Sequence, residues 1–288
     1  MGIVDTTLRD GQQSPGLVFS AAAKESMIAG LDGAGVARIE EAGPAMGPVA
    51  CSRPLRSLVR NAEIVLWNRL LESDVEASLA ADPHVIHVCL PVSERHLERK
   101  LGVSWDRAAR LLEGAVRLAG SEGHRVSVGL EDASRAGPGS LGRAMGLLSD
   151  VGARHVRLSD TAGVLTPGRT RELVGLFKAG GFTVEFHAHD DLGLADANSL
   201  QAALAGADYV DVTLCGIGER AGNASLGGFA RLAGSAPGLG LAVGAGEAAA
   251  LEGAFRHLFG REWLSGAGRG PAAGGPGAAS PARGRGRR

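Results

Sequence analysis

The sequence predicts an α/β chain folded as a (β/α)8 TIM barrel, and three observations carry that expectation. Eight short apolar runs recur along the 288 residues. Helical patterns separate most of them, the mark of parallel βαβ units. Polar and ionisable residues gather just past the C-terminal ends of the runs, where such a barrel builds its active site. The rival is an open doubly wound sheet, whose dinucleotide turn sets Gly-x-Gly-x-x-Gly directly on the end of a strand. No apolar run passes directly into one, and Gly33 and Gly35 precede a strand instead of following it.

The elements follow in order. Residues 3–4 form the first strand and 21–33 the first helix. Strands at 36–39 and 64–67 are followed by a helix at 75–81. Strand 85–90 leads to helix 105–120, strand 126–130 to helix 141–151, and strand 155–158 to helix 167–179. Strand 184–186, helix 198–205 and strand 209–214 complete the eight. Residues from 235 are rich in Gly and Ala before a last helix at 247–259. The barrel domain is expected to span 1–262.

Composition limits the function classes. Charges nearly cancel, at 30 basic and 31 acidic residues. This excludes a globally basic nucleic-acid binder and an acidic disordered chain. Residues 263–288 hold five arginines and no acid among Gly, Ala and Pro. Such a segment buries too little apolar surface to offset its ordering entropy, so a disordered basic tail is expected. It is an incidental end or a contact for RNA and acidic surfaces. Aromatic residues make up 4% of the chain, which predicts an aliphatic, alanine-rich core. Cys51, Cys89 and Cys215 are odd in number and scattered, against a disulfide framework or a zinc ribbon. No leader pattern and no apolar run of about 18 residues is present, so a cytoplasmic protein without a membrane span is expected.

The strand ends supply the candidate chemistry. His187 and His189 stand two apart on a strand, so both imidazoles face one point, as metal ligands must. Taken alone, the pair is more often incidental than metal-binding. A carboxylate from another strand end would complete a two-His, one-carboxylate set with positions open for substrate. Asp10 is the candidate, unless it is a loop carboxylate paired with Arg9. Arg9 suits stabilisation of a developing enolate or alkoxide oxygen. Glu131 is a general base or a partner for Arg135. Thr161 binds a substrate carboxylate or caps a turn. Gly216-x-Gly218-Glu219-Arg220 is a candidate tight loop held by an ion pair.

Three motifs together resemble a known family. Asp5-Thr6-Thr7-Leu8-Arg9-Asp10-Gly11-x-Gln13, then His187-Ala188-His189-Asp190-Asp191, then Gly216-Ile217-Gly218-Glu219-Arg220-Ala221-Gly222-Asn223 are similar to the signatures of the 2-isopropylmalate and homocitrate synthase family. That family lies in a metal-dependent superfamily with HMG-CoA lyase. Glu131-Asp132-Ala133-Ser134-Arg135, Gly43-Pro44-Ala45-Met46-Gly47 and Pro91-Val92-Ser93 look most like the homocitrate synthases of nitrogen-fixing bacteria. The resemblance implies a divalent metal, Mg²⁺ or Mn²⁺ with Zn²⁺ as the lesser alternative, on Asp10, His187, His189 and Asn223. It implies an acyltransferase joining acetyl-CoA to a 2-oxo acid, 2-oxoglutarate before 2-oxoisovalerate or pyruvate. Arg9 and Glu131 would be catalytic, with Gln13, Glu40, Arg135 and Thr161 binding substrate. Family synthases continue into a further C-terminal domain. A homodimer or a separate chain completing the unit is therefore the expected partner, with no membrane and no nucleic acid. Gln12, Glu41-Ala42, Asp190 and Cys215 depart from the usual Glu, Val-Gly, Asn and Asn.

Overall fold

Eight parallel strands close on themselves in chain order, β1 pairing with both β2 and β8. They are β1 Gly2–Leu8, β2 Arg38–Ala42, β3 Glu63–Asn68, β4 Val85–Pro91, β5 Arg125–Glu131, β6 His155–Asp160, β7 Thr183–Ala188 and β8 Tyr209–Val212. This computed structural model describes residues 1–47, 49, 54–98 and 102–259. The expected basic tail, the end of the expected barrel domain at 262 and Cys51 lie outside the described residues. The helices are α1 Ala21–Ala34, α2 Glu72–Leu79, the single turn α3 Glu94–His96, α4 Trp105–Ser121, α5 Pro138–Asp150, α6 Pro167–Ala179, α7 Ala195–Leu204, α8 Leu226–Gly234 and α9 Ala245–Phe259. Among the described residues, no helix is long and apolar enough to cross a membrane.

Several bounds differ from expectation, β1 running on to Leu8 and β2 to Ala42, and two differences are larger. The eighth strand ends at Val212, and Leu214–Gly216 turns as a 3-10 helix with Cys215 at a φ of 59°. Helix α8 escaped the sequence reading because its nine residues include three glycines, poor helix formers. A serine at its entry compensates: the Ser225 hydroxyl accepts from the Gly228 N–H.

The expectation of an aliphatic core holds for the outer layer. Strand residues alternate between two faces. One face carries Ile39, Leu66, Val88, Leu130, Leu158 and Phe186, all fully buried. The alternate positions carry Glu40, His87, Arg157, Glu185 and Asp211, which are just as buried. Arg157 on β6 pairs with Glu40 on β2, strands far apart around the barrel, so these side chains meet inside it. The lumen thus holds a cluster of paired ions, with the His87 imidazole kept neutral by burial and the apolar Val4 and Val65 at the same inward register. Buried charge is costly unless paired, and here each sign meets the other. Arg38 closes the N-terminal end, 3.0 Å from Glu63 and 3.5 Å from Glu185. Glu41 falls on the opposite face, where the Lys24 ammonium of α1 meets its carboxylate at 2.5 Å. That pair accounts for an acid where an apolar residue is usual.

In the β2–β3 connection the described helical elements are two 3-10 turns, Pro44–Met46 and Leu55–Leu58, and Asp32 near the end of α1 secures the return to β3. Its carboxylate accepts the N–H groups of Arg60, Asn61 and Ala62 at 3.0, 2.8 and 2.7 Å. Burial raises the pKa of Asp32, but those three donors outweigh it and hold the group below its ordinary value. The Asp32→Ala variant is expected to lose about 1–3 kcal/mol in urea unfolding at pH 7. A depressed pKa gives stability that is present above the unfolded value near 3.8 and lost as pH falls toward the folded one. The gap between wild type and variant should therefore narrow below about pH 4.

Candidate metal centre and active site

Three side chains from two strand ends converge at the C-terminal mouth. His187 lies on β7 and His189 just beyond it, while Asp10 enters from the turn after β1. One ligand atom from each of the three lies within 4.8 Å of the others. His187 Nε2 is 3.4 Å and His189 Nε2 3.8 Å from Asp10 Oδ2. All three residues are buried. Asn223 joins them from the loop after β8, its amide donating to Asp10 Oδ1 at 3.0 Å and to the Ile217 carbonyl. Asn223 Oδ1 and His189 Nδ1 are buried without a hydrogen-bond partner. Buried polar atoms are seldom left so, and the Asn223 amide oxygen offers a lone pair that a cation would take.

The surroundings suit that role. His187 Nδ1 donates to Asp211 Oδ2 at 3.0 Å, which turns its other nitrogen toward Asp10. Burial raises the pKa of Asp10, but Arg9, His187 and His189 overcome it and hold the carboxyl well below the usual range. Burial pushes His189 down to about 3 against the pull of Asp10, leaving a neutral imidazole. Two imidazoles, a carboxylate and an amide oxygen form a set that fits a divalent cation.

Arg9 stands beside the triad. Its Nη1 is 2.6 Å from Asp10 Oδ2, its Nε 2.6 Å from Glu40 Oε1, and its guanidinium lies over Trp67. The glycine loop closes the site from the β8 side. A Cβ on Gly218 would stand 2.1 Å from Asn223 Nδ2 and 3.0 Å from Asp10 Oδ1, so a side chain there would displace the amide. Arg220 ties the rim together, bonding Asp191, Glu219 and the Thr161 carbonyl. The expected ion pair across that loop is present.

A family model described as HMGL-like matches residues 1–237. This chain belongs to the HMGL-like family. It is 45% identical over 228 residues to a homocitrate synthase of Frankia alni, covering 77% of this chain and 64% of that one. It is 39% identical to the 2-isopropylmalate synthase 2 of Caldanaerobacter subterraneus, over 78% of this chain and 59% of that one. A 2-phosphonomethylmalate synthase of Streptomyces rubellomurinus is 41% identical, over 77% of this chain and 60% of the relative. The chain thus spans about three-fifths of the length of these relatives. Among solved structures, an HMG-CoA lyase from Acinetobacter baumannii superposes with a TM-score of 0.78 at 16% identity, covering 96% of this chain and 97% of that one. That likeness concerns the fold.

In this HMGL-like barrel the sequence-predicted residues separate into two groups. Arg9, Asp10, His187, His189 and Asn223 are brought together. Glu40, expected to line the pocket, lies fully buried in the lumen, both carboxylate oxygens taken by Arg9 and Arg157. Burial raises its pKa, but those guanidinium groups prevail and hold it at about 2. Its place follows from alternation along β2, which points it inward. Gln13 is exposed on the 3-10 turn Gly11–Gln13. Glu131 ends β5, half-buried. Arg135 takes Asp132 as a partner. Its guanidinium forks onto that carboxylate at 2.7 and 2.9 Å. The Thr161 hydroxyl accepts the Asp132 N–H at 2.9 Å, a contact between neighbouring strand ends and not a cap of the turn ahead of Pro167, where the N-cap is Thr166.

Asp132 and Ser93 stand in the motifs without an assigned role, and Asp211 and Arg157 escaped the sequence reading. Ser93 donates to Asp132 at 2.5 Å, so Asp132 links the ends of β4, β5 and β6. A cavity of about 740 Å³ opens beside it, lined by Ser93, Arg95, Arg135, Ser140 and Arg143 among others. The lumen residues had a signal available. Asp211 and Arg157 stand at inward-facing, alternate positions of their strands.

Proposed function

We propose that this barrel condenses acetyl-CoA with a 2-oxo acid, 2-oxoglutarate in the first place, giving homocitrate and free CoA. The observation that carries the reading is the buried Asp10, His187 and His189 cluster with Arg9 against it at the barrel mouth. Family membership and the printed names of the synthase relatives support it. Asp10, His187, His189 and Asn223 would hold a divalent cation, Mg²⁺, Mn²⁺ or Zn²⁺, which when bound supplies Lewis acidity toward the ketone and carboxylate oxygens of the 2-oxo acid.

The chain's own groups supply the remainder. Glu131 accepts a proton from the acetyl-CoA methyl group. The enolate carbon then bonds to the ketone carbon, and the displaced electron pair becomes an alkoxide that Arg9 stabilises. Thr161 and Arg135 hold substrate carboxylates. A guanidinium has five N–H donors, and Asp132 takes two of those of Arg135. Gln13 lines the entrance, and Glu40 acts by fixing Arg9. Glu131 returns its proton to that alkoxide and, again a carboxylate, positions the water that cleaves the thioester: the water's hydroxyl goes to the acyl carbon and its proton to the leaving sulfur, releasing CoA as a thiol.

The test is CoA release by the purified chain with acetyl-CoA and Mg²⁺ or Mn²⁺, using 2-oxoglutarate, 2-oxoisovalerate and pyruvate in parallel. Release with 2-oxoglutarate supports the reading. A preference for 2-oxoisovalerate or pyruvate makes the chain a 2-isopropylmalate or citramalate synthase. No release with any of the three overturns independent activity. The share of the relatives that this chain spans favours one second reading. In it the barrel works beside a partner, either a second copy or a separate chain, and activity returns only when the product of a neighbouring gene is added.

A further inference from the structure

We propose that Arg157 is a positioning residue that fixes the His187 ligand and Arg9 in one geometry, from a place no substrate reaches. The proposal rests on the metal-site reading above. Six side chains form a closed ring of contacts. Arg157 meets Glu40, and Glu40 meets Arg9 at 2.6 Å. Arg9 meets Asp10 at 2.6 Å, and Asp10 lies 3.4 Å from His187. His187 meets Asp211 at 3.0 Å, and Asp211 returns to Arg157 at 2.9 Å. Arg157 is the member most distant from the mouth along this ring, opposite Asp10. It is 1% exposed, so its contacts are all with protein.

The chemistry of the side chain matters. Arg157 faces three carboxylates on three strands, Glu40 on β2, Glu185 on β7 and Asp211 on β8. Glu185 in turn is held by His155 at 2.9 Å and Arg38 at 3.5 Å, which anchors the hub to the closed end of the barrel. A planar guanidinium directs donors along several fixed lines at once, whereas an ammonium is a point charge on a flexible stem. Glu40 and Asp211 each hold a working group with one oxygen and are oriented by Arg157. Outer partners of this sort typically change metal affinity 10–100-fold when altered.

The experiment compares wild type with Arg157→Lys as the full chain, reading three quantities. These are the melt, the Kd for Mn²⁺ alone by electron paramagnetic resonance, and kcat against KM for the 2-oxo acid. The expected result is a cooperative melt, a Kd raised about tenfold or more, and a lower kcat. Arg157→Met should lose more than Arg157→Lys on both counts. A folded Arg157→Lys protein with wild-type Kd and kcat overturns the proposal. Wild type that binds no Mn²⁺ overturns the metal-site reading and this proposal with it. Should Arg157→Lys fail to fold, Glu40→Gln, Asp211→Asn and their double variant decide. Coupling through the hub makes their effects on Mn²⁺ binding non-additive by about fivefold, within the range of interacting neighbours. Additivity within twofold overturns it.

Discussion

Replacing His187 and His189 together by alanine is expected to abolish detectable Mn²⁺ binding while the barrel stays folded. The two imidazoles are half of the four-residue set, and both are buried beside Asp10. Altering a mere outer partner of a metal ligand typically costs 10–100-fold in affinity. Removing two ligands should exceed that, a loss of at least about a hundredfold. The retained Asp10 would still pair with Arg9 at 2.6 Å, so the carboxylate is not left as an uncompensated buried charge. Titration of Mn²⁺ followed by electron paramagnetic resonance, beside a thermal melt, reads both quantities. A folded double variant that binds Mn²⁺ like wild type would remove the site from this place.

Arg9→Met should leave the cation bound and slow the chemistry. Methionine approaches the reach of arginine but carries no donor. Deleting one preorganised donor at a developing oxyanion commonly lowers kcat about 10²–10³-fold. Glu40 would keep Arg157 as its counter-ion, and Asp10 would keep Asn223 and the imidazoles around it. The expected pattern is a fall in kcat with a smaller change in KM for the 2-oxo acid, and a Mn²⁺ Kd that shifts less than kcat because losing the Arg9 charge, which repels the cation, offsets losing its bond to Asp10. Arg9→Lys should recover part of the loss, since it restores charge without the fork. An unchanged kcat in Arg9→Met would take Arg9 out of the reaction.

Much of the fold was legible because it rests on local regularities. Apolar runs of strand length, spaced by helical patterns, gave the eight strands in order. The misses were local too. Helix α8 carries three glycines in nine residues, so its propensity hid it. Among the site residues, the His187 and His189 pair was readable because a period of two fixes a common face. Asp10, Arg9 and Asn223 were readable from motifs. Asp132 was passed over because a carboxylate next to Glu131 gives no hint that it sits at a left-handed φ of 61° and points toward Ser93 and Arg135.

The sequence by itself determined the barrel, the order of its strands and the identity of the groups at its mouth. These follow from periodicity and from residues clustered along the chain. Only the tertiary structure decided how those groups are held. Arg9 and Glu40 lie 31 positions apart, Glu40 and Arg157 lie 117 apart, and His187 and Asp211 lie 24 apart, yet each pair is in contact. Barrel closure brings those strands around one lumen, and the high cost of an unpaired buried charge selects which ions meet there. Spacing along a chain carries no record of that choice. It belongs to the packed interior.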